Sequence, residues 1–248
     1  MPPARAPFRA IALALLASAC GAEPVEGLDP TPMLADVVAD APGATGEGFG
    51  DPSRAVNGVR GGGPIQGSLD VYSLELAGPR THLTLAWEGR VLRDGPGADL
   101  VVFENAFRTA DDSAYFMDPT VVSVSRDGVT FVDLPHAYVG ADPTRYSTDP
   151  DDWEGFAGRG PVLLHDETNP VDPFDAIAAG GDAFDLATLP EDGGEADAIR
   201  RDGARYVRLT SAAILVDPRT GARYPRDPVA SGADVDGVYG RWLDASGE

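Results

Sequence analysis

From Gly46 onward, apolar and polar residues alternate along much of the chain, the period of strands that bury one face. LDVYSLEL (69–76) sets Tyr72, Leu74 and Leu76 on one side. THLTLAWEG (81–89) does the same with Leu83, Leu85 and Trp87, and leaves His82 on the polar face. DLVVFEN (99–105) is apolar on both faces and predicts a central strand. TVVSVSRDGVTFVDLP (120–135) is two alternating runs joined at Arg126-Asp127-Gly128, the signature of a hairpin. RYVRLTSAAILVD (205–217), TGARYP and DVDGVYGRWLD (234–244) supply the remaining strands. Between the hairpin and residue 205 runs a long irregular region rich in Asp, Pro and Gly, carrying Trp153, Phe156, Phe174 and Phe184. Loops of that length are functional or unstructured, and aromatics spaced through one argue for packing. The pattern predicts an all-β antiparallel sandwich of about eight strands with long loops at one end, forming one domain over residues 46–248.

The start of the chain breaks this pattern. MPPARAPFRAIALALLASAC has Arg5 and Arg9, an apolar run over 10–17, then small residues, as in a secretory signal. The run is too short to span a bilayer. Cys20 is the sole cysteine and follows Leu-Ala-Ser-Ala, so the segment resembles a bacterial lipobox, with Ala17 where Leu is usual. Residues 1–19 are therefore expected to be a lipoprotein signal peptide, and Cys20 the lipidated anchor to a membrane, at the outer membrane or cell surface. The alternative is ordinary cleavage leaving a free thiol. Residues 20–45 read as a flexible tether. Within it PMLADVVAD (32–40) suggests a short amphipathic helix, with Thr31 as N-cap and Pro32 in the first turn.

Composition narrows the chemistry. Thirty Gly and 22 Pro exceed what a helical bundle tolerates. The formal net charge is −21 and every basic residue is Arg, which excludes lysine chemistry and makes nucleic acid an unfavourable partner. Most of the acids are Asp in turns; they either build those turns or mark a calcium-rich extracellular setting. No serine-hydrolase elbow and no zinc-type histidine spacing occurs.

Two acidic clusters could hold Ca2+. The first combines Asp51 and Asn57 with Asp234 and Asp236, whose side chains should leave the last strand on one face because they alternate with Val235. The second combines Asp94, Asp99 and Glu104. Glu104 is also the best acid for catalysis, since the end of a buried strand would raise its pKa; the competing reading has it accepting loop N–H groups. Tyr146, Trp153 and Phe156 could stack on a sugar or pack into a core of the loop itself.

Several segments resemble a family of secreted or lipid-anchored bacterial cell-surface proteins. GFGDPSRAVNGVRGGG, LRDGPGADLVVFENAF, SVSRDGVTFVDLP, GGDAFDLATL, ARYVRLTSA and SGADVDGV keep its order of motifs, above all DGPGxDLxVFEN. Residues 161–178 are longer than the family's loop, and Ala233 stands where Phe is usual. The resemblance implies a jelly-roll sandwich similar to galactose-binding-like (discoidin-type) domains, a structural calcium near the first and last strands, and ligand contact through loops at one end. The expectation is a non-catalytic, lipid-anchored surface protein that binds carbohydrate or another envelope component. The alternatives are a secreted hydrolase or lyase using Glu104 with a second acid, and a purely structural envelope protein.

Overall fold

The computed structural model describes residues 33–111 and 113–245. The expected signal peptide, Cys20 and the first half of the expected tether lie outside the described residues. Nine strands make the sandwich: β1 (Val37–Asp40), β2 (Tyr72–Ser73), β3 (Leu83–Ala86), β4 (Leu100–Glu104), β5 (Thr120–Ser125), β6 (Val132–Asp133), β7 (Asp182–Phe184), β8 (Tyr206–Ser211) and β9 (Asp234–Gly240). They form two antiparallel sheets, one ordered β1-β3-β8-β5-β6 and the other β7-β4-β9-β2. The α-helix α1 (Glu195–Asp202) precedes β8. No described helix is long and apolar enough to cross a membrane.

Alternation builds the core between the sheets. Leu83 and Leu85 of β3, Val122 and Val124 of β5, and Val207 and Leu209 of β8 face Leu100 and Val102 of β4 and Val235 and Val238 of β9. The apolar run of β4 is explained by what covers its other face. Val101 and Phe103 pack with Tyr239, Val59, Val162, Leu164 and Ala179, so the 161–179 segment lies over the outside of the second sheet as a further layer. Backbone bonds pin it: the N–H groups of Leu163 and Leu164 donate to Ala179, and that of Gly61 donates to Leu164. Gly180 closes the segment with φ +69°, and a Cβ there would lie 1.9 Å from the Pro161 carbonyl oxygen, so only glycine fits.

Residues 33–40 are not a helix. The Ala35 N–H donates to Val238, and β1 pairs with β3, Val37 opposite Ala86 and Val38 opposite Leu85. Adjacent β-branched valines favour extended backbone, and an open sheet edge satisfies their N–H and C=O groups. The segment assigned to the tether thus belongs to the sandwich from residue 33. The hairpin over 120–135 forms as expected, with Gly128 at φ +75° in its turn. TGARYP contributes only the bridge Val216–Arg223, and β9 sits inside its sheet, between β4 and β2.

Trp153 and Phe156 of the long loop form a third core on the outer face of β5. Trp153 and Phe156 are fully buried with Met117, Val121, Tyr138 and Tyr224. Their rings pack at 5.3 Å, and Phe156 meets Tyr224 at 5.3 Å edge-on. The Trp153 indole N–H donates to Ser147 O at 3.0 Å. A stacking platform needs an open ring face, so Trp153 and Phe156 are removed as sugar contacts. Tyr146 is half-buried, its hydroxyl donating to Met117 O at 2.6 Å and its ring 5.6 Å from that of Trp153.

Candidate functional site

The first expected calcium cluster is dispersed. Asp51 accepts the Ser53 N–H at 3.0 Å and caps a short 3-10 turn. The Asn57 amide donates to Asp70 at 3.0 Å. Asp234 and Asp236 are separated by a β-bulge: Val235 lies opposite Glu104 and Gly237 opposite Phe103, leaving Asp236 as the extra residue. Asp236 is consequently buried against the 56–62 turn, where both carboxylate oxygens accept the Arg60 N–H at 3.0 and 3.1 Å. Burial, with Asp70 and Asp166 adding like charge, pushes its carboxyl up to about 8. The residues expected to hold a structural calcium near the first and last strands do not fit that ion.

The second cluster is split. Asp94 and Asp99 do come together, with Asp185, and their carboxylate oxygens lie within 4.8 Å of one another; among the described residues no other trio of acidic or histidine side chains does. Asp99 is fully buried, and its two oxygens accept the Gly95 and Leu186 N–H groups at 2.9 and 2.7 Å. It ties the 94–98 turn to the turn after β7. Glu104 is not part of this group, because β4 carries it to the opposite end of the sheet, about 3.3 Å further per residue. The histidines also stay apart: His82 pairs with Asp40 at 2.9 Å, His136 packs on Phe156, and the His165 ring accepts the Glu167 N–H.

At that opposite end Glu104 opens on a pocket of about 200 Å3, lined also by Asp118, Asp227, Asp234, Phe107, Phe116 and Val229. No basic residue is in its wall. Glu104 is 3% exposed. Its Oε1 accepts the Asp234 N–H at 3.0 Å, and its Oε2 is buried with no hydrogen-bond partner. The Gly158 backbone approaches so closely, with φ +82°, that a Cβ there would sit 2.8 Å from Oε2. Burial and the neighbouring Asp118 push the Glu104 carboxyl well above the usual carboxylate range. Burial, then Asp234 and Asp227, raise Asp118 to about 7. Asp234 is half-buried, accepts the Ser73 hydroxyl, and is raised chiefly by burial. Beneath the pocket Tyr146 feels the same charges: burial first, then Asp118, Asp227 and Glu104, raise its phenol.

No protein-family model matches the chain, and no curated protein matches it. The site is therefore read from its own chemistry. Of its acids only Glu104 and Asp234 figure in the expected clusters, and in different ones. Asp118 precedes Pro119 and Asp227 precedes Pro228, so in the sequence both look like turn residues. A carboxylate oxygen buried without a donor costs free energy unless a ligand or a proton satisfies it. The pocket can thus accept hydrogen bonds or positive charge, or hold a carboxyl protonated beside an ionised one.

Proposed function

We propose that this protein is a non-catalytic binding protein, held at the cell surface by a lipid on Cys20, that takes its ligand in the Glu104 pocket and recognises carbohydrate or another envelope component there. The observation that carries this reading is Glu104, which lines a pocket with three further carboxylates and whose buried Oε2 has no protein partner. Natural interiors leave few such atoms, and one at a concave surface marks the place where a ligand completes the hydrogen bonding. Phe116, 44% exposed at the rim, supplies an apolar surface beside the acceptors. The motif resemblance to lipid-anchored surface proteins supports the location. Calcium is not required by this reading.

The test is a microarray of defined oligosaccharides probed with the domain and with Asp118→Asn. Retention of particular glycans, reduced about tenfold or more by the substitution, is expected from loss of one charged acceptor. Retention indifferent to Asp118 would remove the pocket from the reading.

One observation favours a second reading. Glu104 and Asp118 share a pocket, and both carboxyls are raised, as a general acid working beside a carboxylate requires. A hydrolase would release reducing ends from a polysaccharide and lose that activity in Glu104→Gln; the binding reading expects no release.

A further inference from the structure

We infer that the Glu104 pocket selects a positively charged nitrogen, a primary ammonium or guanidinium carried on an alkyl stem; this rests on reading the pocket as the ligand site. Four carboxyl side chains line the pocket and no basic one does, although the chain has 19 Arg to place. Elsewhere some of those arginines neutralise buried or crowded acids. Arg159 pairs with the buried Asp182 at 3.2 Å, and Arg60 pairs with Asp70 at 3.0 Å. In the pocket that role is left to something from outside, and the Glu104 carboxyl, with Oε2 unpartnered, is one of its acceptors.

A nitrogen cation suits the wall better than a bare metal ion. A hard divalent ion draws its oxygens to about 2.4 Å and hence close to one another. Among the described residues only Asp94, Asp99 and Asp185 offer three acidic side chains within 4.8 Å, and none of them is in this pocket. An ammonium or guanidinium spreads its donors and reaches acceptors that stand further apart. Apart from Asn105 and Ser231, the rest of the wall is apolar or glycine. Phe107 and Phe116 lie with their ring centroids 5.0 Å apart, and Val229 is 78% exposed beside them. A metal ion gains nothing from that surface, whereas the methylenes of an alkyl stem pack against it while the head stays with the acids. A cation near the ring faces gains further. A volume of about 200 Å3 admits one such head and part of its stem. The net charge of −21 favours the approach of cations at low salt.

The test is calorimetric titration of the whole protein at pH 7 with agmatine and cadaverine. A pentapeptide with a central Arg asks whether the group may belong to a polypeptide; galactose and CaCl2 are the neutral and metal arms. Agmatine or cadaverine should bind, and more tightly than galactose or Ca2+. Asp118→Asn and, as a variant nearer the surface, Asp227→Asn should each weaken the amine about tenfold or more. Asp111→Asn, an exposed acid away from the pocket, should leave it unchanged. Binding of the amine alone or of the Arg peptide as well upholds the inference and sorts free amines from side chains. Amine binding insensitive to Asp118 and Asp227 overturns it as surface ion pairing, and tighter binding of Ca2+ than of either amine overturns it as a metal site. If a saccharide binds with Asp118 dependence and no amine does, the inference falls while the pocket remains the ligand site. If no probe binds and no glycan is retained on the array, both fall.

Discussion

Truncating Phe103 to alanine is expected to lower the free energy of unfolding by roughly 3–5 kcal/mol, enough to unfold a domain of ordinary stability. Phe103 has no exposed surface, although it points out of the sandwich rather than into it. Its ring meets Tyr239 edge-on at 5.7 Å, and the Gly181 backbone presses on it so closely that a Cβ at Gly181 would lie 2.7 Å from the ring. The cavity left by the ring would be sealed by the 161–179 segment and could not collapse without moving it. Val129→Ala, at a side chain that is 82% exposed, should change stability by less than about 0.5 kcal/mol. Denaturant titration of both variants decides the matter. Equal midpoints would mean that the covering segment is not a true layer of the core.

The second large effect concerns pH. Asp99, Asp118 and Asp236 have carboxyls raised to about 6, 7 and 8, in each case chiefly by burial, and Glu104 is raised for the same reason. A carboxyl raised on folding binds its proton more tightly in the native state, so its contribution is complete below about pH 4. That contribution is lost as pH climbs through the folded value. Stability should therefore fall between about pH 4 and pH 8, the reverse of the usual acidic limb. Below about pH 4 a normal acid loss should return, because Asp111 is lowered to about 2 by hydrogen bonds from Ser113 and Thr109, and Asp127 is lowered by the Thr130 and Val129 N–H groups. Asp236→Asn replaces the neutral acid with a neutral amide of the same shape and should remove the upper part of the slope. The gain at pH 8 is on the order of 5 kcal/mol at most. Thermal midpoints of the two proteins from pH 4 to pH 9 measure it; parallel profiles would show that Asp236 is not the titrating group.

Much of the scaffold was legible because alternation is a local property. Leu83, Leu85, Val122, Val124, Val207 and Leu209 are inward residues of strands readable from period alone, and Arg126-Asp127-Gly128 is a turn by its chemistry. What escaped depends on tertiary partners. Val37 and Val38 are too short a run to separate helix from strand until β3 offers its edge. Asp234 and Asp236 would share a face on a regular strand, and a single-residue bulge sends them to different places. Asp94 and Glu104 are near in sequence, but an extended strand holds them far apart, while Asp118 and Asp227, distant in sequence, share a pocket wall. The orphaned oxygen of Glu104 has no sequence signal at all, since it exists only because Gly158 lets a backbone pass beside it.

The place of β9 sets the order in which the molecule can assemble. The first sheet contains a hairpin, β5 with β6, whose partners are neighbours along the chain. The second contains none: each of its pairings, β7 with β4, β4 with β9 and β9 with β2, joins segments far apart in sequence. Closing such loops costs entropy before any ladder forms, so the slow step is the recruitment of β9 and nucleation belongs to the hairpin. Kinetic analysis of Val124→Ala and Val238→Ala should place the first contact early in the transition state and the second late. Until β9 arrives, β4 has a bare edge and two greasy faces, and this is the interval in which the chain is most exposed to self-association.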